Sequence, residues 1–174
     1  AYCNSNKIKE RETIFNLFIE RKGINTCHSF GACYGNYKET KKPHIPGSWG
    51  GNELINTYKN YTFVTAMENT CKDGYVTEKI LNAYYSGAIP IYWGSKNIND
   101  FFNKNAFINV NDFISFEECV DYVCNMSKEE IYKMANEEIY NNNNNEILNL
   151  FNEDLKNNKT LENHMSRFRE YLNN

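Results

Sequence analysis

A carboxylate and an ammonium stand side by side at Glu78-Lys79, where the apolar spacing Ile80, Leu81, Ala83, Tyr84 opens a helix. A carboxylate placed there can accept hydrogen bonds from both hydroxyls of a ribose, while the neighbouring ammonium and the helix N-terminus attract a diphosphate. The helix dipole alone contributes about 0.3–1 kcal/mol per charge at an exposed site, so a positioned Lys79 must supply most of the neutralisation. Taken alone, Thr77-Glu78 is also an ordinary N-cap followed by a first-turn acid. Asn69 and Tyr75 flank the short polar loop Thr70 to Gly74, whose composition lets a ligand approach the backbone. An amide and a phenol each bond a phosphate or sugar oxygen without adding charge, although Asn is equally a turn former and Tyr a half-buried core edge. Glu68, just before them, either orients this loop or touches the ligand. Gly94 and Ser95 are expected to line the same pocket from the next strand end.

These residues need a frame that gathers them. Thr62 to Met67 reads as an apolar strand, Glu78 onward as a helix, and Gly87-Ala-Ile-Pro90 as the turn back into a second apolar strand, Ala88 to Trp93. A third short strand is expected at Phe107 to Val110, ended by Asp112-Phe113. Upstream, a strand near residues 1–4 precedes a helix over Arg11 to Arg21 that buries Ile14, Phe15, Phe18 and Ile19, and a short strand follows near Asn25 to His28. The Gly- and Pro-bearing stretch Gly31 to Gly51 is loop, and Asn52 to Tyr58 a short helix. Such alternation implies an α/β fold, a parallel sheet with helices on both faces, whose ligands sit at the C-terminal strand ends. Downstream, Ser127-Lys-Glu-Glu130 is a capping box opening a helix through Ile131, Met134, Ala135 and Ile139. After the solvated run Asn141 to Asn145, further helical stretches cover Glu146 to Asn157 and Leu161 to Leu172, so helices occupy about 127–172. The length of 174 residues bounds one domain over 1–174, short for a two-domain enzyme.

Composition removes several classes. A formal net charge of −3 and an isoelectric point near 5.7, without a basic face, exclude a nucleic-acid footprint. No run has the length of a membrane span, so no membrane span is expected in this chain. The six cysteines form no C-x-x-C pair and the three histidines are scattered. With no Asp-x-Asp clamp either, no metal site is expected. Idle thiols in a reducing compartment are one reading, a Cys27–Cys33 bridge in a secretory setting the other.

Residues 61–113 carry linked blocks: Glu68-Asn69, then Tyr75-Val-Thr-Glu78-Lys79, then Gly87-Ala-Ile-Pro90-Ile-Tyr-Trp-Gly94, then Phe107-Ile-Asn-Val-Asn-Asp112-Phe113. Together they resemble the donor-binding segment of the α1,3/4-fucosyltransferases, the tenth glycosyltransferase family, with a weaker likeness back to about Arg11 and forward to about Tyr122. Met67 departs from the family, which usually has an aromatic there; the change touches packing rather than chemistry. The resemblance implies a Rossmann-like domain forming one half of a GT-B glycosyltransferase, with GDP-fucose as donor and inverting transfer to a glycan acceptor. It makes Glu78 the ribose-binding acid, Lys79 a diphosphate-binding cation, and Asn69 and Tyr75 donor contacts. It also makes Arg11, which follows a Ser-Asn turn, a fork for the leaving diphosphate. Lys7, Lys9 and Arg21 compete with Arg11 for that part. No metal is required, and no catalytic residue is assigned here, because the family's base is a Glu of the acceptor-side N-terminal domain. The chain is accordingly expected to be a piece of a longer protein, cytoplasmic if bacterial or viral, in the Golgi lumen if eukaryotic. Two alternatives stay open: a GT-B domain for another nucleotide sugar, and a non-catalytic nucleotide- or carbohydrate-binding module.

Overall fold

The computed structural model describes residues 1–4, 6–43, 45 and 52–141. Its centre is a parallel sheet in the order β1 (Phe63–Met67), β2 (Ile89–Trp93), β3 (Ile108–Asn109). β1 and β2 pair in register from Phe63 with Ile89 to Met67 with Trp93, and Ile108 of β3 stands opposite Ile91. All three strands are almost wholly buried, as parallel strands covered on both faces must be, which is why their sequences run nearly continuously apolar.

The covering helices are α1 (Lys9–Lys22), α2 (Asn52–Tyr58), α3 (Glu78–Ser86), α4 (Phe116–Asn125) and α5 (Lys128–Ala135). On one face Ile14 and Phe18 of α1 and Val120 and Val123 of α4 meet Met67, Ile89, Ile91 and Ile108. On the other, Ile80 and Leu81 of α3 pack on Ala66, Tyr92, Phe102 and Phe107, and α2 joins through Leu54 and Tyr58 against Val64 and Ala83. Fully burying each such aliphatic or aromatic side chain contributes about 1.5–3 kcal/mol. α3 stops where Gly87 enters the left-handed region at φ +76°, its N–H closing on the carbonyls of Ala83 and Tyr84. That stop returns the chain to β2 and fixes both ends of the β1-α3-β2 crossover.

Helices on both faces of a parallel sheet are thus as expected, with local differences. The first residues are not a strand: Tyr2 makes an isolated parallel bridge to Ser29, and Ser29 another to Lys41. Ala1 still lies along β1, donating to Phe63 O at 2.7 Å and accepting from Thr65 N at 2.9 Å. The short strand expected near Asn25 to His28 is a turn over 24–26, because α1 runs on to Lys22 and Gly23, at φ +82°, must first reverse the chain. β3 is two residues long and passes at once into a 3-10 turn, Val110–Asp112, so Asp112 does not end a strand. α4 was not legible as a separate helix, yet it has its own N-cap, Ser115, which accepts from Glu118 N at 3.2 Å. The capping box at Ser127 and Glu130 is present, but its helix ends at Ala135, and Tyr140 instead pairs antiparallel with Phe102. The helical stretches expected over Glu146 to Leu172, and all of the Asn run beyond Asn141, lie outside the described residues. All six cysteines are free, so Cys27 and Cys33 are not joined. No helix among the described residues is long and apolar enough to cross a membrane.

Candidate functional site

The C-terminal end of β1 delivers Glu68 and Asn69, the start of α3 delivers Glu78 and Lys79, and the C-terminal end of β2 delivers Gly94 and Ser95. Parallel pairing brings these three ends to one edge of the sheet.

Glu68 is fully buried, and its N–H extends the ladder by donating to Trp93 O at 2.7 Å. Its Oε1 accepts from Thr77 N at 2.7 Å, and its Oε2 accepts from Thr77 Oγ1 at 2.7 Å and Lys79 Nζ at 3.1 Å. Burial pushes the Glu68 carboxyl above the ordinary carboxylate range, with the Lys79 ammonium and the Thr77 donors pulling the other way. Thr77 occupies the N-cap position of α3 in an extended conformation, but its hydroxyl makes no capping bond to the helix. It faces Glu68 and Lys79 instead, accepting from Lys79 Nζ at 2.9 Å. The ordinary N-cap reading therefore fails for the Thr77 side chain, which leaves the first-turn N–H groups of α3 uncapped by it. Lys79 also lies 3.8 Å from Glu78 Oε1; its side chain is 19% exposed and that of Glu78 14%, so both heads reach the surface of the site.

Arg11 is placed differently from a surface cation. It is 1% exposed, and its Nε and Nη2 donate to Met67 O at 3.0 and 2.6 Å. Nη2 also donates to Asn69 Oδ1 at 2.6 Å, and Nη1 to Asn6 O at 3.3 Å. Burial lowers its pKa, and Tyr2 and the Glu68 carboxylate oppose that shift. The fork thus holds the strand end and aims the amide of Asn69, an exposed residue.

The loop between them is braced from β2. Gly74, at φ +73°, donates its N–H to Ser95 Oγ and Asn97 Oδ1, both at 2.9 Å, and the Ser95 hydroxyl is itself hydrogen-bonded to Asn97. Ser95 is fully buried, so it supports the loop that carries Tyr75, itself half-buried, from beneath. Gly94 is needed for close approach: a Cβ there would meet Glu68 Cγ at 2.6 Å and Tyr92 Oη at 2.7 Å. Its carbonyl accepts from Cys71 Sγ at 2.9 Å and Asn111 Nδ2 at 3.4 Å. Asn97 and the turned-in hydroxyl of Thr77 escaped the sequence reading; the polar run Ser95-Lys96-Asn97 after a strand was the available signal for the former, whereas nothing local distinguishes a Thr77 that caps from one that does not.

The structure therefore gathers Asn69, Tyr75, Glu78 and Lys79 around one strand end, with Arg11, Gly94 and Ser95 packed beneath. Among the described residues no group of three or more His, Cys, Asp or Glu stands together as a metal cluster. A cavity of about 410 Å³, lined by Phe15, Phe18, His28, Tyr61, Phe63 and Cys124 among others, opens toward the other end of the sheet, where β1 begins, and contains none of the expected site residues.

The chain matches the family model of glycosyltransferase family 10 (fucosyltransferase), C-term, over residues 1–136. It is 50% identical over 72 residues to an alpha-(1,3)-fucosyltransferase of Helicobacter pylori, a match covering 41% of this chain and 14% of that protein. It is 32% identical over 136 residues to a putative fucosyltransferase of Acanthamoeba polyphaga mimivirus, covering 76% of this chain and 22% of the other. A crystal structure of alpha1,3-fucosyltransferase with GDP-fucose superposes with a TM-score of 0.65 at 28% identity, over 78% of this chain and 37% of that one. A structure of alpha1,3-fucosyltransferase with GDP matches with a TM-score of 0.64, also at 28% identity and with the same coverage. The chain thus spans well under half the length of the relatives it matches.

Proposed function

The chain belongs to glycosyltransferase family 10, the fucosyltransferases, and from that premise we propose that residues 1–174 are the donor-binding domain of a GDP-fucose-dependent transferase. The parallel α/β fold is that of one half of a GT-B enzyme. The observation that carries the reading is the Lys79 ammonium, held at the start of α3 by Thr77 and Glu68 beside Glu78. A fixed cation at the start of a helix that its N-cap side chain does not cap suits a diphosphate, and a carboxylate next to it suits the vicinal hydroxyls of the ribose.

In this reading Glu78 binds the ribose, Lys79 the diphosphate, and Asn69 and Tyr75 contact phosphate or sugar oxygens. Arg11 sets the end of β1 and the direction of Asn69. Transfer proceeds by attack of an acceptor hydroxyl oxygen on the anomeric carbon. The bond from that carbon to the β-phosphate oxygen breaks with inversion, GDP leaves, and a carboxylate base takes the hydroxyl proton. The charge that develops on the departing diphosphate is neutralised by Lys79, a role for which no metal is invoked. By the family resemblance the base and the glycan acceptor belong to an N-terminal domain.

Titration of the chain with GDP, GDP-fucose, UDP and ADP tests this. GDP and GDP-fucose are expected to bind more tightly than UDP or ADP, and Glu78→Ala to weaken GDP by the ribose bonds it removes, each about 1.5–3 kcal/mol with one charged partner. Equal affinity for UDP would favour another nucleotide sugar, and failure of all four would favour a non-catalytic carbohydrate-binding module.

A further inference from the structure

We propose that Glu68 is a positioning residue, a buried carboxylate whose task is to fix the Lys79 ammonium where the donor diphosphate will lie; the proposal rests on the donor-binding reading above. Glu68 has no route to the ligand itself, since it is fully buried and its two oxygens are taken by Thr77 and Lys79. A buried carboxylate is costly to desolvate and does little for stability compared with an apolar side chain of the same size. Its place at the strand end is explained by what it holds. Lysine carries its charge on a flexible four-carbon stem that loses rotamer freedom when it is fixed. Here two of its three N–H donors are engaged by Glu68 Oε2 at 3.1 Å and Thr77 Oγ1 at 2.9 Å before any ligand arrives. The side chain remains partly exposed, so the ammonium is tethered on its inner side and presented on its outer one.

The surroundings are built for this arrangement. Glu68 takes both the backbone N–H and the hydroxyl of Thr77, which draws the α3 start toward the end of β1. Gly94 leaves room for the carboxylate stem, since any Cβ there would lie within 2.9 Å of both Glu68 Cβ and Cγ. The charged and titratable groups around Glu68 are Lys79 of α3, which is itself 3.8 Å from Glu78, Arg11 of α1 and Tyr92 of β2, with Cys71 of the loop bonded to the neighbouring Gly94 carbonyl. Lys79 is the cation among them that touches it within hydrogen-bonding distance. Fixing the cation in advance removes an ordering cost from donor binding and keeps the charge in place as the diphosphate departs.

The test is a double-mutant cycle on GDP affinity using Glu68→Gln and Lys79→Ala in the 174-residue chain, with detection of the Lys79 Nζ resonance by ¹⁵N NMR in the ligand-free protein. Glu68→Gln is expected to weaken GDP about tenfold when Lys79 is present and less than twofold in the Lys79→Ala background. The parent should show a dispersed, slowly exchanging Lys79 ammonium signal that collapses into the bulk lysine envelope in Glu68→Gln. Equal losses in both backgrounds would reduce Glu68 to general structural support and overturn the proposal, as would unchanged or tighter GDP binding by Glu68→Gln. If Glu68→Gln fails to fold, Thr77→Val replaces it: it removes the shared hydroxyl, is expected to weaken GDP about threefold only when Lys79 is present, and overturns the proposal if its effect ignores Lys79. Should the parent bind no GDP, the donor reading fails by itself, while the ligand-free Lys79 signal and its response to Glu68→Gln still decide whether the tether exists.

Discussion

Replacing Arg11 by alanine is expected to damage the fold as well as the ligand site, because the guanidinium is built into the end of β1. At 1% exposure it donates twice to Met67 O, at 3.0 and 2.6 Å, and once to Asn69 Oδ1, at 2.6 Å. Hydrogen bonds with one charged partner contribute about 1.5–3 kcal/mol each. The two donors share one carbonyl and Asn69 is exposed, so two effective bonds at the lower end give about 3 kcal/mol. For a chain of this size each kcal/mol moves the melting temperature by about 2–4 °C, so Arg11→Ala should melt about 6–12 °C below the parent. Arg11→Lys should recover less than half of that, since a single ammonium lacks the fork that serves Met67 and Asn69 together. Thermal unfolding by circular dichroism measures the loss, and GDP titration well below both transitions measures the binding consequence, a weakening transmitted through Asn69. A variant that melts within about 2 °C of the parent yet loses GDP binding would refute the reasoning, because the fork would then be serving the ligand and not the strand.

Lys79→Ala is expected to weaken GDP about ten- to a hundredfold, the equivalent of one charged hydrogen bond, with EDTA leaving parent affinity unchanged; binding that appears only with added Mg²⁺ or Mn²⁺ would move the diphosphate role to a metal. Gly94→Ala forces a Cβ to 2.6 Å from Glu68 Cγ and 2.7 Å from Tyr92 Oη, so it should lose about 1–3 kcal/mol in denaturant unfolding and weaken GDP as well; wild-type stability would mean that β2 yields freely there. The Glu68 carboxyl has a folded pKa raised by burial, so its stability contribution is fully present below the ordinary carboxylate pKa and is lost as pH rises through the folded value. Unfolding free energies of the parent relative to Glu68→Gln should therefore fall as pH rises from the acid side through the carboxylate range, and a relative gain with rising pH would show the pKa to be depressed instead.

The parallel core was legible because buried parallel strands announce themselves as apolar runs, and Gly87 marks the turn between α3 and β2. The candidate site was legible at Tyr75 to Lys79 because its residues are contiguous. What escaped depends on tertiary contacts. The first residues read as a strand from their pattern, but only Tyr2 finds a bridging partner in Ser29, so the ladder stays a bridge. Arg11 is placed at the ligand by the family resemblance and Ser95 by its position after a strand end, and neither sequence position reveals that the side chain is buried against Met67 or under Gly74. The hydroxyl of Thr77 is a capping group by position and is turned away from the helix by Glu68, a residue on another element. α4 was hidden because its apolar residues Cys119, Val120 and Val123 sit in an acidic segment that reads as surface until α1 is placed against it.

Amide and side-chain chemical-shift mapping during GDP titration of the ¹⁵N-labelled chain tests the central claim most directly. Saturable shifts are expected at the C-terminal strand ends alone, at Asn69, Gly74, Tyr75 and Thr77 to Lys79, with the Lys79 ammonium signal moving in step. Shifts centred instead on His28, Tyr61 and Cys124, around the cavity at the other end of the sheet, or no saturable shifts at all, would contradict it.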